Sequence, residues 1–157
     1  MNINFYTKGD KSIKDLIDYI ENQIEKHPNC EIYIGTDSQR FGPINKFVTV
    51  IAFRYGKRGV HFIYNRKTMP LHPTVKNKLR HEVELTVECY YWLKTQLPNI
   101  KICAVEADIN EDKRFKSNEY FSEGRGWLEG LVSGEGVLVL TKPQEQVAVK
   151  AANQLLQ

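Results

Sequence analysis

The sequence predicts an α/β domain in which helices pack on a five-stranded mixed sheet, in the order β-β-β-α-β-α-β-α, with an extra helix at the N-terminal end. Three observations predict it. Strand-like runs over 31–36, 46–55 and 60–67 follow one another, the last two joined by the hairpin signal Gly56-Lys57-Arg58-Gly59. Apolar residues then switch to helical spacing over 76–96, after which strand and helix patterns alternate. Finally, 157 residues without repeat, low-complexity tract or linker make one domain with one continuous core. Within it, 1–29 form an arm and helix and 30–157 the core.

The elements follow in order. Residues 3–7 form a short strand or a docked arm. Ser12 with Asp15 resembles a capping box, and Ile13, Leu16, Ile17, Ile20 and Ile24 recur at helical spacing up to His27-Pro28. The three strands come next. A proline-punctuated connection, 69–75, leads to the long helix, whose stripe runs Leu79, Val83, Thr86, Tyr90, Leu93 and Leu97. A strand over 100–109, a polar loop over 110–122, a glycine-weakened helix over 124–132 and a strand over 137–141 follow. Pro143 is expected to open the last helix, since proline suits a first helical turn.

Composition narrows the function classes. No apolar run is long enough to span a bilayer and no signal-peptide pattern stands at the start, so a cytoplasmic, membrane-free protein is expected. Cys30, Cys89 and Cys103 have no metal-ligand spacing and read as small buried hydrophobes rather than a disulfide framework. No Walker-type Gly-Lys-Ser/Thr is found either. The net charge of +3 hides an asymmetry: residues 40–80 hold ten Lys or Arg and no Asp or Glu. Such a block makes a positive field that concentrates polyanions, although basic residues also guard sheet edges. Arg54, Lys57, Arg58, Arg66, Lys67, Lys78 and Arg80 are its candidate nucleic-acid contacts. Lys113, Arg114 and Lys116 are three more, in the polar loop.

Three carboxylates fall at the ends of core elements. Asp37 closes the first strand in Ile34-Gly35-Thr36-Asp37-Ser38-Gln39, where an acid either caps a turn or carries chemistry. Glu82 stands at the edge of the sheet-facing side of the long helix, and Asp108 closes the fourth strand. Converging acids repel, so together they need a cation, and hard oxygen ligands suit Mg²⁺ or Mn²⁺. Glu106 shares a strand face with Asp108 by the period of two and is a lesser candidate ligand. His81, beside Glu82, and His72 are candidates for moving protons or contacting phosphate.

These acids, in this order of elements, resemble the ribonuclease H superfamily, above all a bacterial and phage family of ribonuclease H-like proteins of uncertain role. The matching residues are Ile34 to Gln39, Phe47-Val48-Thr49, Lys78-Leu79-Arg80-His81-Glu82 and Glu106-Ala107-Asp108-Ile109. The 113–118 segment and Lys142-Pro143 with Ala148 and Asn153 complete the match. The resemblance implies Asp37 as a bridging ligand, Glu82 and Asp108 as its companions, and one or two Mg²⁺ or Mn²⁺ ions for phosphodiester cleavage. Ser38, beside Asp37, is a candidate accessory residue. Where the family pattern reads Lys-Pro-Asp, this chain has Lys142-Pro143-Gln144-Glu145. Gln144 is a weak ligand at best, while Glu145 either supplies the fourth acid or favours the helix N-terminus. The expectation is a metal-dependent nuclease acting on RNA, an RNA–DNA hybrid or structured DNA. The alternative is a nucleic-acid-binding module with weak or no turnover. No oligomeric state follows from the sequence.

Overall fold

A computed structural model describes residues 4–157. It has seven strands rather than five, in a single mixed sheet ordered β2-β1-β5-β4-β3-β6-β7. The two additional strands are β1 (Tyr6–Thr7) and β2 (Lys11–Ser12), a tight hairpin that pairs antiparallel with β5 through Tyr6–Tyr64 and Thr7–Ile63. Strands of two residues leave almost no alternating pattern to read. Because Ser12 belongs to β2, the cap of α1 (Leu16–Lys26) passes to Asp15, whose carboxylate accepts the Asp18 amide at 3.0 Å.

The antiparallel meander β3 (Glu31–Phe41), β4 (Ile44–Arg54) and β5 (Val60–Pro70) forms the centre. Its β-branched and aromatic residues alternate between two cores because successive side chains point to opposite sheet faces. On one face Ile34, Ile51, Phe53 and Ile63 pack with Leu93 of α2 (Val75–Gln96) and Leu128 of α3 (Phe121–Leu131). Leu16 and Ile20 of α1 join that core. On the other face Tyr33, Val48, Val50 and Tyr64 meet Ala148, Ala151 and Ala152 of α4 (Ala148–Leu156). Small residues bring α4 very close to the sheet. A Cβ on Gly35 would lie 2.9 Å from Val149 Cγ2 and 3.2 Å from Glu106 Cβ.

Strands β6 (Ala104–Asn110) and β7 (Leu138–Lys142) run parallel beyond β3. The β3–β6 ladder covers only Tyr33–Ala104 and Ile34–Val105, so the two strands part just before Asp37 and Asp108. A divergence at the carboxyl ends of parallel strands is where α/β sheets open a crevice.

Several boundaries differ from expectation: β3 runs on to Phe41 and β5 to Pro70, and the expected loop over 110–122 holds a 3₁₀ turn, Lys116–Tyr120, that leads into α3 at Phe121. The 100–103 stretch stands outside β6, held by Cys103 N–H to Ile32 O at 2.8 Å. Pro143 lies in a turn rather than in the last helix, which starts five residues later. The turn closes because Gln144 N–H donates to Thr141 O at 2.8 Å while Gln144 Oε1 accepts the Thr141 amide at 3.1 Å. The three cysteines are free, Cys89 buried and the others half-buried. Among the described residues no helix is long and apolar enough to cross a membrane.

Candidate carboxylate site and nucleic-acid interface

Asp37 lies within β3 rather than at its end, because β3 and β4 continue as a hairpin to Phe41 and Ile44. Alternation sends neighbours to opposite faces. Asp37 faces α4, where its Oδ2 accepts the Asn153 amide at 3.1 Å. Thr36 and Ser38 face α2. The Thr36 hydroxyl joins Thr49 at 3.0 Å and Thr86 at 2.9 Å, and the Ser38 hydroxyl donates to Glu82 Oε2 in a short bond. This hydroxyl line ties α2 to the sheet one turn from Glu82, so Ser38 is a positioning contact for that carboxylate.

Asp37 is 6% exposed and Glu82 4%. Burial raises the Asp37 carboxyl above its usual range; the Asn153 bond opposes this and the Asp108 charge adds to it. Burial also pushes Glu82 well above the ordinary glutamate range, and the Asp37 charge pushes it further. The Ser38 bond, the Lys78 charge and, in the opposite sense, the Asp108 charge follow as smaller influences. The three acids therefore feel one another electrostatically, and Lys78 is the cation that both Asp37 and Glu82 sense.

Asp37 and Asp108 share a cavity of about 460 Å³, together with Glu145, Lys142, Lys150 and Asn153. Glu82 lies on the α2 side, not in that cavity's wall. Among the described residues no three His, Cys, Asp or Glu side chains stand in a metal-holding cluster, so the expected trio is coupled but not assembled. The hydrogen bonds explain why: Glu82 is drawn to Ser38 and Asp37 to Asn153. The donor set still fits a hard divalent ion, since it is made of oxygen and its crowded buried carboxylates need positive charge.

Other expected residues are placed differently. Glu106 is fully buried and its oxygens accept the amides of Val147 at 2.9 Å and Val149 at 2.8 Å, anchoring the start of α4. It is a helix anchor and not a free ligand. Gln144 closes its own turn, whereas Glu145 is exposed on the cavity wall. His81 meets aromatic neighbours and Glu84. Its ring packs edge-on against Phe47 at 4.8 Å and His72 at 5.3 Å, its Nδ1 stands 3.8 Å from Glu84, and burial lowers its pKa.

The basic block divides. Val48 pairs with both Asp37 and Arg66, so Arg66 shares the Asp37 face two strands away, about 10 Å by strand spacing. Lys67 pairs with Phe47 on the other face, and Lys78 lies on α2 near Glu82. Arg80 is exposed beside Glu123 at 3.6 Å. Arg54, Lys57 and Arg58 gather at the far end of the β4–β5 hairpin, roughly 20 Å along the strand from the acids. Arg54 is tied there to Glu31 at 2.7 Å. Continuous charge in sequence becomes two separate patches, because a hairpin sends its tip away from its base. Lys113, Arg114 and Lys116 are exposed just beyond β6, with Arg114 paired to Asp112 at 2.6 Å.

Asn153, Lys142 and Lys150 are among the cavity residues to which the sequence reading gave no role. The signal for Asn153 is an amide four residues after Val149 on an otherwise apolar helix face.

A mixed sheet with a carboxylate crevice where parallel strands part, and helices on both faces, defines an α/β domain of the ribonuclease H-like class. A family model for ribonuclease H-like proteins matches residues 11–157, and the chain belongs to that family. No curated protein matches it. A solved structure, Endonuclease V from Ciona intestinalis in complex with a 24mer DNA containing an inosine followed by a ribo-adenosine, is similar at 12% identity and TM-score 0.40. The similarity covers 89% of this chain and 65% of that one.

Proposed function

We propose that the protein is a divalent-metal-dependent nuclease that hydrolyses phosphodiester bonds, with Asp37, Glu82, Asp108 and Glu145 as the ligands of Mg²⁺ or Mn²⁺. The observation that carries this reading is the coupling of two buried carboxylates, Asp37 and Glu82, to an Asp108 that shares a cavity with Asp37. When bound, such an ion lowers the pKa of water and offsets charge building on a phosphate.

The chain's own residues then have separable tasks. Asn153 holds Asp37, and Ser38 holds Glu82, in defined orientations. Lys142 and Lys150 line the cavity and supply positive charge for a phosphate that enters beside the acids. Lys113 and Lys116 extend that charge outward along a strand of nucleic acid, and Arg66, on the Asp37 face, adds to it. A cytoplasmic setting is part of the same proposal.

The test is cleavage of a panel of RNA, hybrid and DNA substrates with Mg²⁺ or Mn²⁺. Asp37→Asn is expected to abolish it, and unchanged cleavage by that variant overturns the mechanism. A second reading, a binding module without turnover, is favoured by Gln144, whose amide is committed to a turn where the family pattern has an acid. Salt-sensitive binding without cleavage under any metal selects it.

A further inference from the structure

The loop that follows β6 has a feature the proposed chemistry does not use. Residues 113–116 are all exposed, and in the middle of Lys113, Arg114 and Lys116 stands Phe115, 54% exposed. Single exposed apolar residues are ordinary. This one is presented by a stiff loop. Asp112 N–H donates to Asn110 Oδ1 at 2.9 Å, and Asn110 N–H donates to Ser117 Oγ at 3.1 Å. The Asn118 side-chain amide donates to the carbonyls of Asn110 at 2.9 Å and Glu111 at 3.1 Å. The Phe115 amide itself donates to Asp112 O at 3.1 Å, and its carbonyl accepts from Asn118 N–H at 3.1 Å.

The loop also has a fixed position relative to the acids. It leaves β6 two residues after Asp108, and Glu111 N–H donates to Lys142 O at 3.4 Å, which ties it to the cavity wall. Phe41, the exposed ring at the end of β3, already has the Lys46 ammonium 4.4 Å from its centroid. Among the described residues, no ring or cation covers Phe115.

We infer that Phe115 is a stacking platform for an unpaired nucleobase of a single-stranded nucleic acid whose backbone lies across the acidic cavity. The inference rests on the reading of that cavity as a nucleic-acid site and adds to it a preference for unpaired strands. An aromatic face accepts any base, while flanking lysines follow the backbone, which is the pairing that single-strand binders use. Duplex bases are stacked on one another and offer no free face to such a ring.

The experiment is anisotropy of a labelled oligothymidylate and of a labelled duplex, with EDTA present so that binding is read without cleavage. Phe115→Ala is expected to weaken single-strand binding about 5- to 150-fold and to leave duplex binding within about twofold. Phe115→Trp is expected to keep the affinity and to show quenching on binding beyond that of wild type, which has Trp92 and Trp127. Equal loss on both nucleic acids, or no loss on either, overturns the platform. So does a change of sedimentation from dimer to monomer in Phe115→Ala without a binding change, which assigns the ring to self-contact. A selective loss supports the platform whether or not wild type cleaves; absence of cleavage removes only the nuclease reading.

Discussion

Replacing Glu82 by glutamine removes a buried negative charge that its surroundings disfavour. Its carboxyl is held well above the usual range by burial and by Asp37, so the fold favours the protonated form. The sign follows directly: stability is unaffected below the ordinary glutamate pKa and is lost as pH rises from there through the folded value. For the metal-free protein, Glu82→Gln is expected to raise Tm at neutral pH and to flatten the pH dependence. Each ~1 kcal/mol relieved corresponds to roughly 2–4 °C for a chain of this size. The check is calorimetry of both proteins in EDTA across mildly acidic to neutral pH; a lower Tm for the variant at neutral pH counts against an unfavourable Glu82 charge. The same substitution is expected to abolish cleavage, so stability and activity move in opposite directions, as they do where a site is built from strained charge.

At the level of elements, the docking of α4 is the sensitive join. Gly35 is flat against that helix, and an added methyl would press on Val149, Ala148 and Glu106 at once. Gly35→Ala is expected to cost about 1–3 kcal/mol by overpacking and, by shifting α4, to loosen the Asn153 contact to Asp37. Urea unfolding gives the first effect; a cleavage rate reduced at saturating Mn²⁺ gives the second. Stability within experimental error of wild type would show that α4 adjusts freely.

How far these elements were legible in the sequence depended on the range of the forces that set them. The long apolar stripe of α2 and the meander of β3 to β5 are periodic over many residues, and their types and order followed from that period alone. The start of α4 did not, because it is set by a carboxylate from another strand, Glu106, and by the turn that Gln144 closes. The site shows the same division. Asp37, Glu82 and Asp108 could be singled out from their positions in elements. That Glu106 serves as an anchor, and that Asn153 reaches Asp37, are contacts across 41 to 116 residues of chain, visible only once the sheet is assembled.

On the scale of the whole molecule, the metal and the nucleic acid should leave separate signatures. Mn²⁺ at about 100 times its Kd is expected to stabilise the wild type by about 2.7 kcal/mol, and Asp37→Asn to lose most of that gain. Equal Tm gains in both proteins would place the ion elsewhere. Nucleic-acid affinity should fall steeply with salt, and Lys116→Ala should reduce the log–log slope while Arg58→Ala, at the distant hairpin tip, should not. The small N-terminal hairpin has a consequence of its own. By pairing with Ile63 and Tyr64 it covers the middle of β5, backbone that would otherwise be open to a neighbouring chain, and it presents the exposed Lys11 and Ser12 of β2 as the new border there. The opposite border, β7, has no such cover and exposes Leu138. Among the described residues, strand-to-strand sticking of concentrated protein is therefore expected first along β7.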